Sequence, residues 1–226
     1  MYELITLFFV VLLFIRNFAI KINDSMEYPI ITIGREIGSN GLTIGKRLSE
    51  KLYMPLYDKN LLSIAARQSG LCSDVFEHAD EKESYSFLQN ALRSVWSNND
   101  NFIHNENLFQ IQSDTIRDIS QRESCIFVGR CADYILRQHP KTLRIFVCAA
   151  LDDRIANISQ TLNISHDSAM KKVESTDKKR STYYNFYTNK IWGQASSYDI
   201  CLNTSLLGVE GAVDIVLKTF EKLFVA

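Results

Sequence analysis

The chain has 226 residues, 46% of them hydrophobic and 23% charged, with a formal net charge of −1. Those values suit one globular domain, or one domain with a substantial insertion. They exclude a general nucleic-acid binder, which would carry a basic excess, but leave room for a small anionic ligand held by a few local arginines.

The chain opens on an apolar run from Leu4 to Ile15, broken only by Thr6 and followed by Arg16, Asn17 and Lys21. A span of a bilayer needs roughly 20 apolar residues, and a secretory signal would want a basic start and a small-residue cleavage site. Three readings stay open for residues 1–25: an upstream extension ahead of a true start at Met26, a membrane-associating helix with Arg16 and Lys21 on the cytoplasmic side, or an extra packed helix. Any membrane contact is confined to residues 4–20. The remainder, residues 26–226, reads as the working domain.

Ile30 to Ile33 reads as a short buried strand. A glycine-rich loop follows, and Ile44, Leu48 and Leu52 then recur at helical spacing. Strand, glycine loop and helix together present backbone N–H groups and a helix N-terminus to a phosphate. Gly38 and Gly41 are expected to allow positive φ and close approach of a ligand, and Thr43 stands where a phosphate-loop hydroxyl meets magnesium. The pattern lacks its usual lysine, since Lys46 comes about a turn into the helix.

Met54–Tyr57 fits a brief second strand with Asp58 at its end, and Lys59–Gly70 a helix stopped by glycine. From Ser73 to Gln121 there is no glycine or proline, and helical patterns run over 73–80, 84–96 and 104–121. His78, His104, Glu81 and Glu83 in this block read as solvated side chains rather than metal ligands. Cys125–Val128 is a buried strand leading at once into Gly129 and Arg130, whose planar guanidinium suits a phosphate or a salt bridge to Asp133. Leu143–Ala149 is another strand. Asp152 or Asp153 is expected to cap a helix reaching Leu162 with Arg154 in its first turn, and Ser165 caps a longer one with Ile164 as a staple. In that helix Asp177 and Arg180 share a face and Lys178 and Lys179 project to other sides; the stretch reads either as a solvated charged helix or as a lid whose arginine and lysines meet phosphates while Asp177 orients a substrate. Tyr183, Tyr184, Phe186, Tyr187 and Trp192 read as core, with room for one of them to border a base. Tyr198–Thr204 forms a last strand, and apolar residues at 209, 213, 216, 220 and 223 mark a final helix.

The five cysteines, Cys72, Cys125, Cys131, Cys148 and Cys201, are scattered and odd in number. None is paired at metal-ligand spacing, which argues against zinc and for free thiols in a reducing, cytoplasmic setting. Strands alternating with helices argue for a parallel sheet covered on both faces, with ligands beyond the carboxyl ends of its strands. The loop at 34–43, Asp58 and Gly129-Arg130 all fall at those ends.

These segments resemble the cytidylate kinase-like family, a phosphate-loop branch related to nucleoside monophosphate kinases. The resemblance is carried by Ile31–Glu36 with Gly38–Gly41, by Tyr57–Lys59, by Val128–Leu136, and by Asp177–Arg180 with Tyr198–Thr204. It implies an α/β fold of the P-loop NTPase type. In that fold a parallel sheet of about five strands is flanked by helices, with a helical monophosphate-binding insert over about 59–122 and a lid over about 165–195.

The activity implied is transfer of the γ-phosphoryl of ATP, with Mg2+, to a nucleoside monophosphate such as CMP or dCMP. Arg35, Gly38, Ser39, Asn40, Gly41, Leu42 and Thr43 would then meet the nucleotide cofactor, and Thr43 or Ser39 the metal. Arg130 would hold the acceptor's phosphate, Asp58, Asp133 and Asp177 would lie near the acceptor, and Arg180 and Arg154 would serve the phosphates. The partner implied is a small-molecule nucleotide rather than a nucleic acid.

The chain departs from true cytidylate kinases at Gly41, which stands at the lysine position, at Cys131, which replaces an aspartate, and at Val173, which replaces a lid arginine. The missing lysine keeps a second reading open, a nucleotide-binding sensor with little turnover, unless Arg35 or Arg180 offsets the loss.

Overall fold

The computed structural model describes residues 27–58 and 101–225. The apolar run at 1–25 and the helices expected at 59–70, 73–80 and 84–96 lie outside the described residues. Five strands form one parallel sheet: β1 (Ile30–Arg35), β2 (Leu56–Tyr57), β3 (Cys125–Val128), β4 (Thr142–Cys148) and β5 (Ile200–Asn203), in the order β2-β3-β1-β4-β5. Ile30 pairs with Cys125 on one side and with Thr142 on the other, so β1 is central and its last residue, Arg35, meets Val147. The apolar run of β1 therefore has sheet on both edges and helices on both faces, which is why it reads as continuous rather than alternating.

Helices α1 (Gly41–Leu52) and α6 (Thr204–Phe224) cover one face. Ile44 and Leu48 of α1 and Val213, Val216 and Phe220 of α6 join Ile31, Ile33, Ile145 and Val147 in the larger core. Leu223, expected on the same stripe, is exposed near the chain end. The other face is closed by α2 (Asn101–Ser120), α3 (Ala132–Ile135) and α5 (His166–Thr188), with Ile116, Ile119, Ile135 and Tyr184 packed on Phe127 and Ile30. A third cluster joins Ile155 and Ile158 of α4 (Leu151–Leu162) to Ala169 and Val173 of α5, with Ile37 of the loop against it. Val173, where a lid arginine was expected, is thus a core residue that seats the lid helix on α4.

Two caps separate expectation from structure. Ser165 caps α5 as expected, its hydroxyl accepting from the Ser168 N–H at 3.3 Å. Neither Asp152 nor Asp153 caps α4; the cap residue is Ala150 and both aspartates lie in the first turn. The amides entering α4 are met from a distance instead, Ala149 N–H by the Glu36 carboxylate at 3.2 Å and Ala150 N–H by Ser205 Oγ at 2.8 Å. That substitution ties the glycine loop to the start of α4. Among the described residues no helix is long and apolar enough to cross a membrane.

Candidate active site

The loop between β1 and α1 is fixed by bonds from several elements. Glu36 N–H donates to the Val147 carbonyl at 3.0 Å, continuing the sheet one residue beyond β1. Ser39 is fully buried and its hydroxyl donates to the carbonyls of Glu36 at 2.9 Å and Val147 at 3.1 Å. Thr204 Oγ1 donates to the Ser39 carbonyl at 3.0 Å, and Asn157 Nδ2 to the Gly38 carbonyl at 2.9 Å. Gly38 has φ +80°, and a Cβ there would lie 2.6 Å from the Arg154 carbonyl oxygen, so α4 sits directly against the loop.

The second positive φ falls on Asn40 rather than on Gly41, which is the first residue of α1 and needs no left-handed backbone. Asn40 makes no side-chain cap, and the first turn holds no acidic residue. The start of α1 thus offers amides and the positive end of its dipole to an anion. Leu42 and Thr43 are exposed on that turn. Ser39 is not; enclosed and engaged with two carbonyls, it locks the loop, and the metal-ligand role expected of it does not match this placement.

A cavity of 330 Å³ opens at the carboxyl end of the sheet. Gly34 and Arg35 reach it from the end of β1, Gly129, Arg130 and Cys131 from the turn after β3, and Asp133 from α3. Helix α5 contributes Thr176, Lys179, Arg180, Tyr183 and Tyr184, and the segment before β5 adds Trp192 and Tyr198. Lys179 therefore lines the cavity with Arg180, as the lid reading has it, although the helical spacing had set it on another side. The turn after β3 is unusual: Gly129, Arg130 and Cys131 take φ of +80°, +60° and +56° in succession. For the two non-glycine residues this conformation costs roughly 1–2 kcal/mol each, the kind of local strain that clusters at functional sites. Its result is to bring Arg130 to the cavity wall.

The charges are arranged unevenly. Burial, then the nearby guanidiniums of Arg180 and Arg130, lower Arg35 from the usual arginine value to about 9, and Asp58 opposes the shift. Arg180 is also lowered by burial, against the pull of Asp177. Asp133 supplies a carboxylate at the far wall, accepting from the Tyr184 hydroxyl at 2.7 Å rather than forming the salt bridge that was the alternative to phosphate for Arg130. Burial holds the Asp133 carboxyl above its ordinary value, and that hydrogen bond offsets part of the shift. The Cys131 thiol is pushed up to about 12, by burial first and then by Asp133, which leaves it unreactive. Tyr183 is positioned from the insert, its hydroxyl accepting from Gln112 Nε2 at 3.0 Å, while Phe109 stacks on Tyr187 with ring centroids 4.1 Å apart.

Arg154 and Asp177 stand outside the cavity wall, in an enclosed cluster under the loop. Arg154 Nη1 donates to Asp177 Oδ2, and Arg154 Nε lies 3.4 Å from Glu36 Oε2. The other Asp177 oxygen accepts from the Ile37 N–H at 2.9 Å. Arg180 bridges the two regions: its Nη1 donates to the Arg35 carbonyl at 3.0 Å and is 4.0 Å from Asp177. The structure thus brings Arg35, Arg130, Asp133 and Arg180 together around the cavity, and Glu36, Arg154 and Asp177 together beneath the loop. Sequence reasoning gave Glu36 and Tyr198 no role at the site, and left Trp192 as one of five aromatics of which one could border a base. For the first two, only the position of Glu36 in the loop hinted at a role.

Among the described residues no group of three or more His, Cys, Asp or Glu side chains is arranged to hold a metal ion. What the site offers is guanidinium, ammonium and helix-amide donors, the donor set of a phosphate site.

Comparison with known proteins gives one pattern. The profile of the cytidylate kinase-like family matches residues 30–206. A protein named cytidylate kinase from Methanobrevibacter smithii is 25% identical over 193 residues, covering 85% of this chain and 98% of its own length. Another of that name from Methanocaldococcus jannaschii is 32% identical over 111 residues, 47% of this chain and 61% of its own. An uncharacterized protein from Eubacterium ventriosum superposes with a TM-score of 0.66 at 27% identity, covering 85% of this chain and 98% of that one. The structure of TT1252 from Thermus thermophilus has a TM-score of 0.51 at 15% identity, over 85% and 98% of the two chains, which is a likeness of fold.

Proposed function

The chain belongs to the cytidylate kinase-like family, and from that premise we propose that it transfers the γ-phosphoryl group of ATP to a nucleoside monophosphate, CMP or dCMP. Family membership and the relatives named cytidylate kinase support nucleotide kinase activity in general. The observation that carries the phosphoryl-transfer reading is the convergence of Arg35, Arg130 and Arg180, from three separate elements, on one cavity beyond the carboxyl end of a parallel sheet. CMP or dCMP as acceptor rests on the family and the relatives named cytidylate kinase. Phosphoryl transfer asks little covalent chemistry of a protein; it is mostly positioning and neutralisation of charge.

In this reading the donor phosphates lie against the uncapped start of α1, with Leu42 and Thr43 on the turn they meet. Arg130, fixed by its left-handed turn, holds the acceptor's phosphate. Arg180 reaches the transferring group from the lid helix, and Lys179 adds charge beside it. Tyr183 and Trp192 wall the acceptor nucleoside, with Asp133 and Asp58 as polar groups on that side. Arg154 and Asp177 position the loop relative to the lid. Magnesium would come with the nucleotide, held by phosphate oxygens and the exposed Thr43 hydroxyl, and would supply further neutralisation of the phosphate charge.

The absence of a lysine at position 41 favours a second reading, a nucleotide-binding module without appreciable turnover. The discriminating assay is ADP release by the full chain from ATP and magnesium with a panel of monophosphates. Turnover with CMP or dCMP, lost in Arg130→Ala, supports the kinase. ATP binding without turnover on any acceptor overturns it in favour of the sensor.

A further inference from the structure

The residue at the lysine position of the loop is glycine, and the structure gives a reason in space rather than in backbone conformation. Gly41 is helical, so nothing in its φ requires glycine. A Cβ at Gly41, however, would lie 2.6 Å from Arg35 Cβ and 3.0 Å from Arg35 Cγ. Those stem atoms are anchored at the end of β1 and cannot swing aside as a side-chain tip could. Further along the same side chain, the Arg35 guanidinium lies over Gly129, where a Cβ would meet Nη1 and would be 3.0 Å from Cζ. Two glycines, one in the loop and one in the turn after β3, therefore leave a path for a single arginine. The path ends at the cavity, beside Arg130 and Arg180.

We infer that Arg35 is the phosphate-binding cation of this loop, occupying from the strand side the place that a lysine at position 41 would take from the helix side. The inference rests on the proposed nucleotide kinase reading for the identity of the anion, a nucleotide polyphosphate. Gly41 is then a requirement of the arginine and not the trace of a lost function. The position of the guanidinium, between the loop and Arg130, puts it where donor and acceptor phosphates would meet. Burial, and after it the like charge of Arg180 and Arg130, lowers Arg35, and the like-charge part is relieved when an anion enters.

Reciprocal substitution in the full chain tests this, with ATP binding by calorimetry and ADP release measured on the same preparations. Arg35→Met keeps the stem and removes the charge. It should weaken ATP binding about ten- to a hundredfold, the range for one charge-assisted hydrogen bond, while the ligand-free protein melts no lower than the wild type. Gly41→Lys alone should also weaken binding, because the new side chain collides with Arg35. In Arg35→Gly/Gly41→Lys both the Cβ and the Cγ that the new side chain would strike are gone and the charge returns, so binding should recover to within about tenfold of the wild type. The sign of the Gly41→Lys effect thus reverses with the residue at 35.

ATP binding that is unchanged in Arg35→Met, or a Gly41→Lys substitution equally harmful in both backgrounds, overturns the assignment. If Arg35→Gly fails to fold, Arg35→Met still decides. Failure of the kinase reading looks different: wild-type protein binds ATP through Arg35 but releases no ADP with any acceptor.

Discussion

Replacing Arg154 should loosen the loop and the lid together, and the size of the effect can be worked from its surroundings. The Arg154 side chain is 10% exposed and lies between Asp177, 16% exposed, and Glu36, 25% exposed. Removing one member of a buried ion pair costs about 3–5 kcal/mol, mostly because the partner charge is left without compensation. Since both carboxylates keep some contact with solvent, the lower end applies, about 3 kcal/mol for Arg154→Met. For a domain of this size that is a fall in melting temperature of roughly 6–12 °C.

The same loss should shrink to about 1 kcal/mol in an Asp177→Asn background. The asparagine carbonyl can still accept the Ile37 N–H, but no second carboxylate is then left unpaired. Urea and thermal unfolding of the four proteins of this cycle give both numbers. A single-variant loss below about 1 kcal/mol, or one that Asp177→Asn does not alter, would refute the reasoning that these charges clamp the loop, because a buried pair in contact couples by 0.5 kcal/mol or more.

Arg130→Lys, which keeps the charge but loses the bidentate fork, should raise the KM for the monophosphate more than that for ATP, by about tenfold, as steady-state kinetics with each substrate varied will show. An equal effect on both would remove Arg130 from the acceptor side. Arg35→Met should raise the stability of the ligand-free protein by about 1 kcal/mol, since it removes a buried charge that Arg180 and Arg130 also repel; chemical denaturation without nucleotide checks it. The Asp133 carboxyl is raised by burial, so the folded state favours its protonated form. The penalty is therefore absent below the unfolded carboxylate value of about 4 and grows as pH rises through the raised folded value. Asp133→Asn keeps an acceptor for Tyr184 and should melt higher than wild type by a margin that widens from acid to neutral pH. A margin that is flat with pH would contradict it.

The sheet and its helices were legible because their signals are local. Unbroken apolar runs marked Ile30–Ile33 and Cys125–Val128, and helical spacing marked the burial of Ile44, Leu48, Val213 and Val216. Ser165 could be read as a cap because its partner is three residues away. The Glu36 carboxylate at the start of α4 could not, since it accepts from Ala149, 113 positions along the chain. For the same reason Asp152 and Asp153 were mistaken for caps.

The site was legible only in part. Arg130 stood out because it follows a buried strand directly, but the left-handed run that aims it leaves no mark on Arg130 or Cys131 as residue types. Lys179 could not be distinguished from Lys178 without knowing which face of α5 meets the cavity. Gly41 read as a missing lysine, and only the position of the Arg35 stem gives it a purpose. Arg154 was recognisable in the first turn of one helix and Asp177 in the lid, whereas their mutual burial beneath the loop depends on how α4 and α5 pack around Val173 and Ile155.

The most direct test of the proposed chemistry is a coupled assay of ADP release by the full chain with ATP, magnesium, and CMP, dCMP, UMP, AMP or GMP as acceptor, alongside Arg130→Ala. The expected result is acceptor-dependent turnover, strongest with CMP or dCMP and lost in the variant. Calorimetric binding of ATP with no acceptor-dependent ADP release from any of the five monophosphates would contradict it.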